Sequence, residues 1–183
     1  MLVNLRALLV RLIDILLLRG GPEQLPASPG LLAIVVAVNI AVSALVTAII
    51  PSAPQALSVE FLVDAAVALL WFHLAFTLVK KRERFVQTMI AFFGVFTLFI
   101  PVMLPLAVTL LPYTLNPDPA TPPPALPTLF GAALVIWLVI VLVRIVRAAF
   151  EWPYFAAIAF IFGLRIATVL IYAMLFGVPP KPV

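Results

Sequence analysis

The chain has 183 residues, 66% of them hydrophobic and 10% charged, with a mean hydropathy of +1.29 and a formal charge of +4. Soluble domains carry about 45–50% apolar and about 25% charged residues, so this composition excludes a soluble domain and predicts an all-α integral membrane protein. Cysteine is absent and His73 is the single histidine, which excludes disulfides and thiolate metal centres and argues against a histidine-rich metal or haem site.

Residues 1–19, MLVNLRALLVRLIDILLLR, form the first element. Arg11 and Asp14 interrupt the apolar run, and with Asn4 they share one narrow sector of a helical wheel whose remainder is mostly leucine and valine. No small-residue cleavage pattern follows, so the segment is expected to stay uncleaved as an amphipathic helix at the cytoplasmic interface. A spanning arrangement would put Arg11 and Asp14 into hydrocarbon. The loop GGPEQLPASPG then turns the chain towards the first span.

Crossing the hydrocarbon core takes about 20 apolar residues. Five stretches qualify, at about 31–50, 57–79, 85–111, 128–150 and 153–177, with prolines 29, 51, 54, 112, 127, 153 and 179 at their edges. The third carries Pro101 and Pro105, which predict a kink or break in its outer half. Its run FFGVFTLF places Phe92, Phe93, Phe96 and Phe99 within two turns, read as core or lipid packing, with a pigment or quinone pocket as the alternative. Residues 112–127 hold seven prolines in sixteen positions and predict a stiff, extended outer loop.

Basic residues set the orientation. With a cytoplasmic N-terminus, Arg6, Arg11, Arg19, Lys80, Lys81, Arg82, Arg84, Arg144 and Arg147 all fall at the cytoplasmic face, nine of the eleven in the chain. The connections 51–56 and 112–127 contain none, so the C-terminus is expected outside. Membrane orientation therefore explains the positive charge, and no nucleic-acid partner is expected. Lys80, Lys81, Arg82, Arg84, Arg144 and Arg147 make a basic rim, explained as orienting charge and able to meet membrane lipids or an acidic membrane-protein partner.

Ionisable groups inside spans need a reason. Glu60 and Asp64 share a face of the second span, and Arg165 lies at a depth within a few ångströms of Asp64. An ion pair locking the second and fifth spans is the preferred reading, and a proton or substrate relay through Glu60, Asp64 and Arg165 is the alternative. His73 and Asn39 have similar depths and could hydrogen-bond; a cofactor or proton site at His73 is the rarer case. Asn39, Ser43 and Thr47 recur every four residues and read as a helix-packing stripe. No nucleotide-binding, zinc-protease or hydrolase motif is present, so no catalytic residues, cofactor or metal are expected.

The five spans, with the segments GPEQLPASPGLL (21–32) and RIVRAAFEWPYFAAIAF (144–160), resemble the small bacterial members of the Yip1-like membrane proteins. That resemblance implies a five-helix membrane fold in a bacterial inner membrane and no catalytic residues. The function expected first is a small scaffold or accessory protein that binds another membrane protein or lipid. The alternative is a small transporter or channel-like protein built around Glu60, Asp64, His73 and Arg165. Paired, dry charges would favour the scaffold, and a water-accessible cavity reaching Asp64 and Arg165 would favour the transporter. A reporter fused after Val183 should be exported; a cytoplasmic signal would overturn the orientation.

Overall fold

The computed structural model describes residues 5–49, 57–115 and 121–176, with side chains omitted at 47 and 57–60. Six helices follow one another: α1 (Leu5–Leu16), α2 (Pro29–Ile49), α3 (Leu57–Leu78), α4 (Phe85–Leu115), α5 (Ala125–Phe150) and α6 (Tyr154–Phe176). Helices α2 to α6 are each long and apolar enough to cross a membrane. In hydrocarbon every backbone amide must be satisfied internally, which leaves the helix as the only spanning form for such segments.

The helix ends follow from local chemistry. The Ser28 hydroxyl accepts the Leu31 N–H at 3.3 Å and caps the start of α2. Three C-termini close through non-glycine residues in the left-handed region: Leu18 (φ 62°), Lys80 (φ 58°) and Glu151 (φ 60°). Beyond Leu18 and Lys80 the next N–H reaches back five residues, Arg19 to Asp14 O at 2.7 Å and Lys81 to Phe76 O at 3.1 Å.

Proline behaves differently from the expectation at two places. Helix α4 runs unbroken for 31 residues through Pro101, Pro105 and Pro112. All three prolines lie at exposed positions. The expected break is therefore absent: each proline removes one i→i−4 bond of its own helix, and the remaining bonds keep α4 continuous. The loop foreseen over 112–127 is shorter, because α4 extends to Leu115 and α5 begins at Ala125. Pro127 sits in the first turn of α5, where a missing N–H removes no helical bond, and the Thr128 hydroxyl donates to Pro124 O at 2.9 Å.

Helix α4 is the central element. From Thr88 to Val95 every residue is buried, which requires neighbours on all sides. Helices α1, α2, α3 and α5 pack against it, and α6 closes the bundle against α3 and α5. Helix α1 buries Leu8, Leu12 and Ile15, spaced as one helical stripe, and leaves Leu5, Val10, Ile13 and Leu17 exposed. It is fixed from two sides. The Trp137 indole of α5 donates to Leu16 O at 3.1 Å. The Leu12 side chain occupies the space beside Gly94, where a Cβ would lie 2.6 Å and 2.8 Å from its two methyls.

Aromatic rings hold together one end of the bundle, formed by the C-terminal ends of α3 and α5 and the N-terminal ends of α4 and α6, here called the inner end. Phe76 stacks on Phe150 at 4.2 Å, and Phe150 on Trp152 at 4.5 Å. Fully buried Phe72 meets Phe92 at 5.1 Å and Phe160 at 5.0 Å edge-on. Each such contact contributes about 0.5–1.5 kcal/mol beyond area burial.

Gly94→Ala should overpack the α1–α4 contact by about 1–3 kcal/mol, lowering the thermal midpoint and speeding amide exchange in α1. Leu12→Ala in the same chain should recover most of the loss. Equal exchange in the single and double variants would refute the close approach.

Candidate functional site

All five spanning helices line one cavity of about 290 Å³. Asn39 and Ser43 enter from α2, Asp64 from α3, Arg165 and Thr168 from α6, and Phe92, Phe93 and Phe96 of α4 supply an aromatic wall with Leu142 of α5 beside it. Asp64 lies fourteen residues above the inner end of α3 and Arg165 eleven above that of α6. At 1.5 Å per residue these are heights of about 21 and 16 Å along the bundle, so the two residues stand at similar levels.

Asp64 is half-buried, accepts a hydrogen bond from the hydroxyl of Tyr172, two turns beyond Arg165 along α6, and feels the Arg165 charge. It makes no direct ion pair with Arg165; among the described residues the ion pairs join Lys81 and Arg84 to Glu151. The expected carboxylate and guanidinium therefore line one cavity without the direct ion pair that the sequence reading preferred. Tyr172 escaped the sequence reading. Its spacing from Arg165 and Thr168 (i, i+3, i+7) was the available signal, since it puts all three on one stripe of α6.

The other foreseen residues separate. The Asn39 amide donates to Thr97 Oγ1 at 3.2 Å, and the Thr97 hydroxyl donates to Phe93 O at 2.8 Å, so Asn39 ties α2 to α4 and not to His73. His73 is exposed, outside the cavity, with its ring edge-on to Phe85 at 5.6 Å. Rotation of α3 decides this, because the face that carries Asp64, Ala65 and Ala68 into the cavity turns His73 away from it. Glu60 lies on α3, but its side chain is outside the described residues, as is that of Thr47. Pro101 and Pro105 do not line the cavity, although Ile100 beside them does. Among the described residues no three His, Asp or Glu side chains converge as a metal site requires.

The basic rim divides into two groups. Lys81 Nζ pairs with Glu151 Oε2 at 2.7 Å and donates to Phe150 O at 3.2 Å. Arg84 Nη1 pairs with Glu151 Oε1 at 2.7 Å and reaches the carbonyls of Ala148 and Ala149 at 3.4 Å. These two cations thus cap the C-terminus of α5, where free carbonyls and the helix dipole favour positive charge. Arg147 lies 4.1 Å over the Tyr154 ring. Lys80, Arg82 and Arg144 are exposed. The partner Glu151 was not singled out from sequence, although it is the only acid between Arg144 and Phe160.

Comparison of the chain with models of known families, with curated proteins and with solved structures finds no match in any of the three.

Hydrogen bonds from Lys81 and Arg84, with their charges, hold the exposed Glu151 carboxyl below the usual carboxylate range. A depressed value means that its stabilising effect is full above the unfolded pKa of about 4.3 and is lost as pH falls through the lower folded value. Glu151→Gln should therefore lower the thermal midpoint at neutral pH, and the gap to the parent should close as acid protonates the carboxyl. A gap that persists in acid would refute the clamp.

Proposed function

We propose that the protein is a small transporter-like membrane protein that binds a small amphipathic solute in its central cavity. The observation that carries this reading is the unpaired approach of Asp64 and Arg165 to one space lined by all five spanning helices. Placing an arginine at mid-bilayer costs about 2.5–3.5 kcal/mol on insertion scales. Arg165 is nonetheless exposed, a condition that suits a cavity reached by water or a polar ligand. A scaffold that used these groups only to lock helices together would gain most from a direct, dry pair.

The solute that complements the site carries opposite charges on a compact apolar body. Asp64 receives a cationic group and Arg165 an anionic one, while Phe92, Phe93 and Phe96 take the apolar part. Thr168 is engaged with Leu164 O at 3.0 Å and serves the wall of the site. The same proposal takes the chain as Yip1-like on residues 21–32 and 144–160, in a bacterial inner membrane with a cytoplasmic N-terminus. Helix α1 then packs on α4 and α5 with its exposed leucines against lipid and Arg11 held to the carbonyl of Gln24.

The lack of cysteine makes a direct test available. Ala68→Cys places one thiol in the cavity, and Leu70→Cys places one on the exposed face of the same helix. In reconstituted protein a small, charged methanethiosulfonate should modify the first and not the second, and L-phenylalanine should protect it in the parent background but not alongside Arg165→Gln. An inert thiol at position 68 would overturn the proposal.

A further inference from the structure

A second cleft, of about 200 Å³, lies at the inner end of the bundle between the turn that follows α1 and the last turns of α5. Arg19 enters it from the turn and Arg144 from α5, with Gly20, Gly21 and Ala148 among its walls. We propose that this cleft binds the phosphate of an anionic lipid headgroup.

The first argument is charge. Lys81, Arg84 and Arg147 are committed to Glu151, to helix carbonyls and to Tyr154. Arg19 and Arg144 have no acidic partner among the described residues, yet two separate elements bring them to one concave space. Paired guanidiniums match a phosphate in shape and charge. Glu23 shares the lining, but its carboxylate folds back over Gly21. Two arginines and one glutamate leave the cleft with a formal charge of +1.

The second argument is depth. Helix α5 has 26 residues, a length of about 39 Å against a hydrocarbon core of about 30 Å. Its outer end exposes Leu126, Leu129 and Phe130, whereas its inner end carries Arg144, Arg147 and then Glu151. The overhang therefore falls at the inner end. Arg144, six residues or about 9 Å from Phe150, then stands at the edge of the hydrocarbon core, where its long side chain reaches the lipid phosphates. Exposed Leu17 stands two residues before Arg19 and offers apolar surface to an acyl chain of the same lipid. The cleft depends on a bilayer location for the bundle and not on the role of the central cavity.

The test is native mass spectrometry of the full-length chain with equal phosphatidylglycerol and phosphatidylcholine. The parent should retain phosphatidylglycerol preferentially. Arg19→Gln with Arg144→Gln should weaken that retention on the order of tenfold. Lys80→Gln with Arg82→Gln removes the same charge outside the cleft and should leave retention near the parent. Glu23→Gln should strengthen it, a gain that a misfolded chain would not show. Equal loss in both double variants would replace the site by diffuse surface charge. Displacement of the lipid by inorganic phosphate as effective as by phosphatidylglycerol would replace it by a free-anion site. Either result, or no preference in the parent, would overturn the proposal.

Discussion

A guanidinium near the middle of a bilayer must find water, a counter-charge or a polar ligand, because hydrocarbon solvates none of its five donors. In the proposed membrane placement Arg165 stands at about that depth in α6, and Asp64 at a similar depth in α3. The arrangement of the bundle follows from accommodating both. Tyr172 gives the carboxylate a hydrogen bond, the Arg165 field reaches it across the cavity, and the surrounding helices leave room for a polar occupant. Five helices packed as a dry bundle would force the two groups either together or out into lipid.

Holding such a cavity open requires rigid walls, and α4 supplies the first of them. Its buried run from Thr88 to Val95 fixes the backbone that carries Phe92, Phe93 and Phe96 into the site. Helix α1 braces α4 from the opposite side through Leu12 at Gly94. Below the cavity, Phe72 joins α3 to α4, α5 and α6 through Phe92, Phe150 and Phe160. Lower still, Lys81 and Arg84 clamp the α3–α4 turn to Glu151 in the α5–α6 turn. The helices bearing Asp64 and Arg165 are thus tied at their inner ends by rings and by charge, and the cavity opens above that tie.

Much of this was legible in the chain, for identifiable reasons. The spans are long apolar runs, and counting residues from their ends gives depth, which is why Asp64 and Arg165 could be matched without a structure. Depth does not give rotation. Asn39 and His73 match in height but face different ways, so Asn39 found Thr97 and His73 found Phe85. Proline marked the helix ends only approximately: α4 continues through Pro101, Pro105 and Pro112, and Pro127 lies in the first turn of α5, where a missing N–H removes no helical bond. The basic rim looked uniform because a single sequence does not show which cation meets Glu151 across a turn.

Hydration of Arg165 tests the central claim most directly. Water-edited solid-state NMR of the reconstituted chain with labelled arginine can follow polarisation transfer from water to each guanidinium, and Arg165→Gln identifies the signal. A hydrated cavity requires rapid build-up at Arg165, approaching that of the exposed Arg82 and Arg144. A slow build-up, typical of a guanidinium sealed against a carboxylate in a dry interior, would contradict the cavity and the solute-binding role built on it.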